Sequence, residues 1–184
     1  MKKVNLLIAP AAVAAFFASD ALASGEIIAI DVTGWTTFGL QGTAGNTLLS
    51  LDLGAAGTIT GVGWDVTIQA IDPSWQSEVT FDIGDSLDAP ENVFVSPGAG
   101  ITTPGTGTFS SNGIIKLIDA GIPDIVIADG IVEIEVFDSF DDGGPAGQDA
   151  NISGTLFLQV VIPAPAALGL LGVAGFAGRR RRRG

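Results

Sequence analysis

Apolar residues recur at every second position through most of this chain, and a period of two restricts it to β-structure. Ile28, Ile30 and Val32 share one face, as do Leu49, Leu51 and Leu53. Val62, Trp64, Val66 and Ile68 alternate with Asp65, Thr67 and Gln69, and Val79, Phe81 and Ile83 alternate with Glu78, Thr80 and Asp82. Further runs at 92–95, 114–118, 125–128, 131–137 and 152–162 predict about nine strands. Successive side chains of a strand point to opposite faces, so each run has one face to bury. No segment of the body sustains a 3.6-residue stripe, so helices there are expected to be short or missing. Many short strands without helical crossovers predict an all-β fold, an antiparallel β-sandwich or jelly roll.

Punctuation between the runs is by Gly, Pro, Asp and Asn. Asp129-Gly130 lies between two apolar runs, and a two-residue Asp-Gly link predicts a type I′ hairpin joining them. In the second of those runs Val132, Ile134 and Val136 face one side, and Glu133 and Glu135 are expected on a solvated outer face. The stretch 96–113 is rich in Gly, Ser, Thr and Pro and reads as a surface loop holding one short strand near 106–110.

Charge divides the chain into three parts. Seven of its eight basic residues lie at the ends, Lys2 and Lys3 at one and Arg179, Arg180, Arg181, Arg182 and Arg183 at the other. Between them, 24–161 carries 19 acidic residues against Lys116 alone, a formal charge of −18. A body of this sign repels nucleic acid phosphates and attracts divalent cations, so nucleic acid is not an expected partner.

The opening segment, 1–23, has two lysines, an apolar run of about 13 residues, and Ala21-Leu22-Ala23 before Ser24. This is the layout of a secretory signal peptide, with the small Ala21 and Ala23 fitting a signal peptidase and cleavage expected after Ala23. An uncleaved span needs roughly 20 apolar residues. The closing segment, 162–184, reads Ile162-Pro163-Ala164-Pro165, then an apolar glycine-rich stretch at 166–178, then the arginines. As a helix, 166–178 would reach about 20 Å, short of a hydrocarbon core of about 30 Å. Pro163 and Pro165 interrupt helical continuity before it. The arginines would stay on the cytoplasmic side, leaving the body outside.

The order Pro163-Ala164-Pro165, short apolar helix, Arg179 to Arg183 resembles the PEP-CTERM sorting domain, with Ala164 where that family usually has glutamate. The resemblance implies export, then handling by an exosortase-like membrane transpeptidase, with cleavage near Pro163 and Pro165 and a transient transmembrane helix. A second likeness covers 62–161. Trp64-Asp65-Val66-Thr67-Ile68, Ser74-Trp75, Asp138-Ser139-Phe140-Asp141-Asp142 and Ser153-Gly154-Thr155-Leu156 are similar to jelly-roll domains of the proprotein-convertase P-domain type, which favours a jelly roll among sandwiches.

Chemistry is limited by what is missing. The chain has no His and no Cys, so His-based triads, thiolate nucleophiles, disulfides and His- or Cys-ligated metal sites are excluded. Lys116, amid Ile114, Ile115, Leu117 and Ile118, reads as a strand residue whose charged end reaches water. Hard-cation binding remains. Asp138, Asp141, Asp142 and Asp149, in a loop loosened by Gly143, Gly144 and Gly147, form a candidate calcium site, because calcium takes 6 to 8 oxygen ligands. The same residues also read as a solvated acidic loop. The leading expectation is a non-enzymatic exported protein of the cell surface or extracellular matrix, with a structural or adhesive role. Behind it stand a calcium-dependent module binding glycan or extracellular polysaccharide, and a carboxylate-based glycosidase. Exposed Trp35, Trp64 or Trp75 near the acidic loop would favour the glycan module, and carboxylates opposed across a deep cleft would favour the glycosidase.

Overall fold

A computed structural model of the chain describes residues 25–85, 91–140 and 147–163. The expected signal peptide, 1–23, and the expected tail helix, 166–178, lie outside these residues, as do Ala21, Ala23, Pro165 and the five terminal arginines. No helix among the described residues is long and apolar enough to cross a membrane.

The described residues form eleven strands in two antiparallel sheets. In chain order they are β1 (Glu26–Asp31), β2 (Trp35–Thr37), β3 (Thr47–Asp52), β4 (Gly57–Ala70), β5 (Val79–Gly84), β6 (Val93–Val95), β7 (Gly105–Ser110), β8 (Ile115–Lys116), β9 (Ile125–Ile127), β10 (Ile131–Asp138) and β11 (Ala150–Val161). A single 3-10 turn, Ile118–Ala120, is the one helical element among them. The all-β sandwich that the period of two predicts is the observed fold.

The first sheet is built on its two long strands, β4 and β11, paired from Ala70↔Ala150 to Thr58↔Val161. β1 and β2 share the far edge of β11, and β7, β8 and β9 succeed one another along the far edge of β4. The second sheet runs β3-β10-β5-β6. Period-two burial follows from this layering. On β11, Ala150, Ile152, Leu156, Leu158 and Val160 point inward, and on β10 Val132, Ile134 and Val136 meet them from the other sheet. One bulge breaks the alternation. The β4–β11 register slips between Gln159 and Val160, so Thr60 has no opposite residue and both Ile59 and Val62 are buried although three apart. Phe81 is the largest fully buried side chain and packs against Trp35, ring centroids 6.2 Å apart. Each such side chain contributes about 1.5–3 kcal/mol of burial.

β2 adds a strand to those expected, because Trp35-Thr36-Thr37 is too short to display a period. The expected hairpin at Asp129-Gly130 is not formed. β9 pairs with β4 in the first sheet, whereas β10 pairs with β3 and β5 in the second, so the link carries the chain from one sheet to the other. Gly130 has a positive φ of 82° but Asp129 does not, whereas type I′ needs both residues positive. Asp129 Oδ1 instead accepts the Ile131 N–H at 2.8 Å, and the Gly130 carbonyl accepts the Leu53 N–H at 2.8 Å.

The ends of the fold are ordered by β1 and β11. Glu26 lies opposite Val160, so the chain enters and leaves the sandwich side by side at one end. Twelve residues of β11, about 40 Å of strand, separate that end from the other. The far end gathers the 71–78 loop, the 97–104 loop and residues 147–149.

Candidate functional site

The most elaborate polar arrangement lies on the outer face of the second sheet. Asp82 of β5 and Glu135 of β10 are opposite each other in the antiparallel register, which sets their Cβ atoms about 4.5–5.5 Å apart. Alternation predicts solvent for both. The structure instead buries both, Glu135 to 3% exposure and Asp82 to 0%, so the expected solvated outer face does not hold for Glu135. The cause is the 38–46 segment between β2 and β3, which crosses this face.

That segment grips the two carboxylates with N–H donors. Gln41 Nε2 donates to Asp82 Oδ2 at 2.7 Å, while Gly42 N and Asn46 Nδ2 donate to Glu135 Oε1 at 2.8 and 2.7 Å. The Asn46 amide is oriented by its own contacts. Its Oδ1 accepts the Phe38 N–H at 2.8 Å, and its Nδ2 also donates to the Leu40 carbonyl at 2.9 Å. Two carboxylate oxygens, Asp82 Oδ1 and Glu135 Oε2, are enclosed and have no hydrogen-bond partner among the described residues. Burial pushes the Asp82 carboxyl up to about 6; a side-chain hydrogen bond with Asn92 pulls it down, the charge of Glu135 raises it, and the Ile83 N–H lowers it. No cation relieves the pair from the described protein, because Lys116, the sole basic residue among those described, lies on β8 of the first sheet.

The residues of the candidate calcium loop are separated by the fold. Asp138 ends β10 on the inward parity and is fully buried, and Asp149 is half-buried just before β11. The 37–39 stretch links their backbones, with Asp138 N donating to the Gly39 carbonyl and Asp149 N to the Thr37 carbonyl, both at 2.8 Å. Asp141 and Asp142 lie outside the described residues. Among the described residues no group of three or more acidic side chains is placed to hold a metal ion. Of the residues expected to form a sorting signal, Pro163 is described and is exposed, two residues past β11.

The tryptophans divide. Trp35 is buried in the core and Trp64 is half-buried, whereas Trp75 is 42% exposed in the 71–78 loop at the far end. Its backbone N–H donates to Glu78 Oε2 at 2.7 Å. Gln76 N and Ser77 N donate to the carbonyls of Thr103 and Ile101, and Ile71 N donates to that of Asp149 at 2.7 Å. The exposed indole therefore sits on a loop fastened to both of its neighbours. Separately, an apolar cavity of about 210 Å³ opens between β6 and β8, lined by Trp64, Phe94, Val95, Ile115, Leu117 and other apolar side chains, with Ser96 the polar exception.

No protein-family model matches this chain, and no curated protein matches it. A solved structure, described as that of the infectious bursal disease virus Gt strain, is similar over 74% of this chain and 32% of the viral chain, with 19% identity and a TM-score of 0.34. The chain thus spans about a third of the length of that protein.

Proposed function

We propose that this is an exported, non-enzymatic protein of the cell surface or extracellular matrix, whose acidic β-sandwich has a structural or adhesive role and whose closing segment is a PEP-CTERM-like sorting signal. The observation that carries this reading is the pairing of Glu26 with Val160, which brings both junctions with the terminal segments to one end of the sandwich. A body held to a membrane by 162–184 would then direct its opposite end, with the exposed Trp75, away from that membrane. The charge division agrees: a −18 body carries almost no lysine, and the arginines that would remain inside belong to the tail. Signal peptidase, the export machinery and an exosortase-like transpeptidase are the partners this route requires.

The test is display. Whole cells expressing the full chain are treated with protease, and loss of the body is followed with an antibody raised against 24–161. Surface display predicts rapid loss from intact cells, with the body released into the medium or held inside when 163–184 is deleted. Protection of the full chain in intact cells, with loss only after lysis, refutes it.

A second reading, a calcium-dependent module for glycan or other surface polymer, is favoured by one observation. Trp75 offers an exposed indole face at the end where Asp149 lies, and sugar rings stack on such faces. The glycosidase reading draws less support, because the cross-strand carboxylate pair Asp82 and Glu135 is buried beneath the 38–46 segment.

A further inference from the structure

The Asp82–Glu135 pair poses an electrostatic problem that the surrounding residues narrow to one answer. Two ionised carboxylates at cross-strand distance in a buried place repel strongly, and one of them is driven to keep a proton. The neighbours on this outer face do not offset the repulsion. From β10 comes Glu133, a further acid; from β5, Gly84; from β3, Leu48 and Ser50; from the β6 side, Asn92 and Phe94; and from the covering segment, Gln41, Gly42 and Asn46. None of these is basic. A divalent cation would call for inward-facing oxygens, whereas the 38–46 segment presents three N–H groups, and the Asn46 amide is oriented by its bonds to Phe38 and Leu40. Those donors take one oxygen of each carboxyl. Asn92 and the Ile83 N–H also act on Asp82, and they ease its burial only in part. Among the described residues Asp82 Oδ1 and Glu135 Oε2 are enclosed with no hydrogen-bond partner.

We infer that Asp82 keeps a proton on its remaining oxygen beside Glu135, and that this proton latches the 38–46 segment onto the second sheet. In acid the pair carries a single negative charge and holds its three N–H donors. As pH rises through about 6 the proton leaves Asp82 to solvent, both carboxylates are charged, and the covering segment loosens. Unlatching exposes Asp82, Glu133 and Glu135 as a row of carboxylates, so the same device makes the acidity of this face depend on pH.

The experiment is hydrogen exchange of the 38–46 amides, Gly42 above all, in the full chain between pH 5 and 8, corrected for the intrinsic dependence of exchange on pH. The expected result is a fall in protection of roughly ten- to a hundredfold, centred near the value of about 6 to which Asp82 is raised. Asp82→Asn and Glu135→Gln each keep the shape and supply an N–H in place of the proton, so protection in either variant is expected to stay level. Should the variants not fold, the infrared difference spectrum of the unaltered chain across the same range reads the carbonyl stretch of a protonated acid directly. That band is expected at pH 5 and lost by pH 8. Level protection in the unaltered chain, an undiminished fall in Asp82→Asn, or absence of the protonated-acid band overturns the inference. Restoration of protection at pH 8 by millimolar calcium also overturns it, and assigns the pair to a cation instead.

Discussion

Replacing Gly130 by alanine tests the sheet-to-sheet crossing at its tightest point. Two costs are separable. With φ at +82°, an L-residue gives up about 1–2 kcal/mol in the left-handed region. An added Cβ would also lie 2.8 Å from both the carbonyl carbon and the carbonyl oxygen of Ala55, well inside the optimum separation of about 3.5–4.0 Å. Those atoms are backbone and cannot rotate away, so the overpacking adds about 1–3 kcal/mol. The sum, about 2–5 kcal/mol, is a large share of the 5–15 kcal/mol typical of a domain. Gly54→Ala supplies the internal control: its φ is +76° and nothing lies within 4 Å of the added atom, so it isolates the conformational cost. Urea unfolding of the full chain, followed by fluorescence of the buried Trp35, gives both values. The account predicts that Gly130→Ala costs at least about 1 kcal/mol more than Gly54→Ala. Equal costs would mean that Gly130 does not pass beneath Ala55, as in an open hairpin, and would refute the crossing.

Three further outcomes are expected. Phe81→Ala, which empties the largest fully buried side chain and strips Trp35 of its ring partner, should cost about 3–5 kcal/mol in urea unfolding and alter Trp35 emission. Stability against pH should carry two opposite contributions. Asp82 is raised from 3.8 to about 6 by burial, so the folded state holds its proton longer and this contribution, fully present below about 4, is lost as pH rises to about 6. At 1.36 kcal/mol per pH unit the loss is bounded by about 3 kcal/mol, and about half that after water reaches the face. Asp31 is lowered by the Thr33 hydroxyl and then by the Thr33 N–H, so its contribution is present above its ordinary value and lost as pH falls through the folded one; melting temperature against pH reads both. Trp75→Ala should leave melting unchanged within about 0.5 kcal/mol and, under the glycan reading, abolish retention on immobilised surface polysaccharide. Unchanged retention removes Trp75 from that reading.

What could be read from the sequence was the part controlled by local periodicity. A run such as Val66-Thr67-Ile68-Gln69-Ala70 carries its own burial pattern, because one face of a strand must meet the opposing sheet. Which strand it meets is set by distant residues. Asp129-Gly130 shows this limit: the turn chemistry is real, with the Asp129 carboxylate bonded to the Ile131 N–H, but nothing local says that β9 and β10 belong to different sheets. β2 escaped notice because three residues cannot display a period, and it earns its place by pairing with the start of β11. The buried carboxylate pair was hidden for a third reason. Asp82 and Glu135 are 53 residues apart and each sits at a correct outward position; only the crossing of 38–46 turns that outer face into an interior. The sole trace in the sequence is Gln41 and Asn46 in a glycine-rich segment lacking charge, a pattern equally natural for any surface loop. Proximity along the chain groups Asp138 with Asp141, Asp142 and Asp149, whereas its parity on β10 turns it inward.

The central claim, that an acidic sandwich is exported and sorted by its two end segments, is tested most directly by intact-mass measurement of the protein recovered from the cell surface and the medium. The account predicts a mature species that begins at Ser24 and lacks Arg179, Arg180, Arg181, Arg182 and Arg183, its end near Pro163 and Pro165. A surface species that retains Met1, or one that carries all five arginines in every fraction, would contradict it.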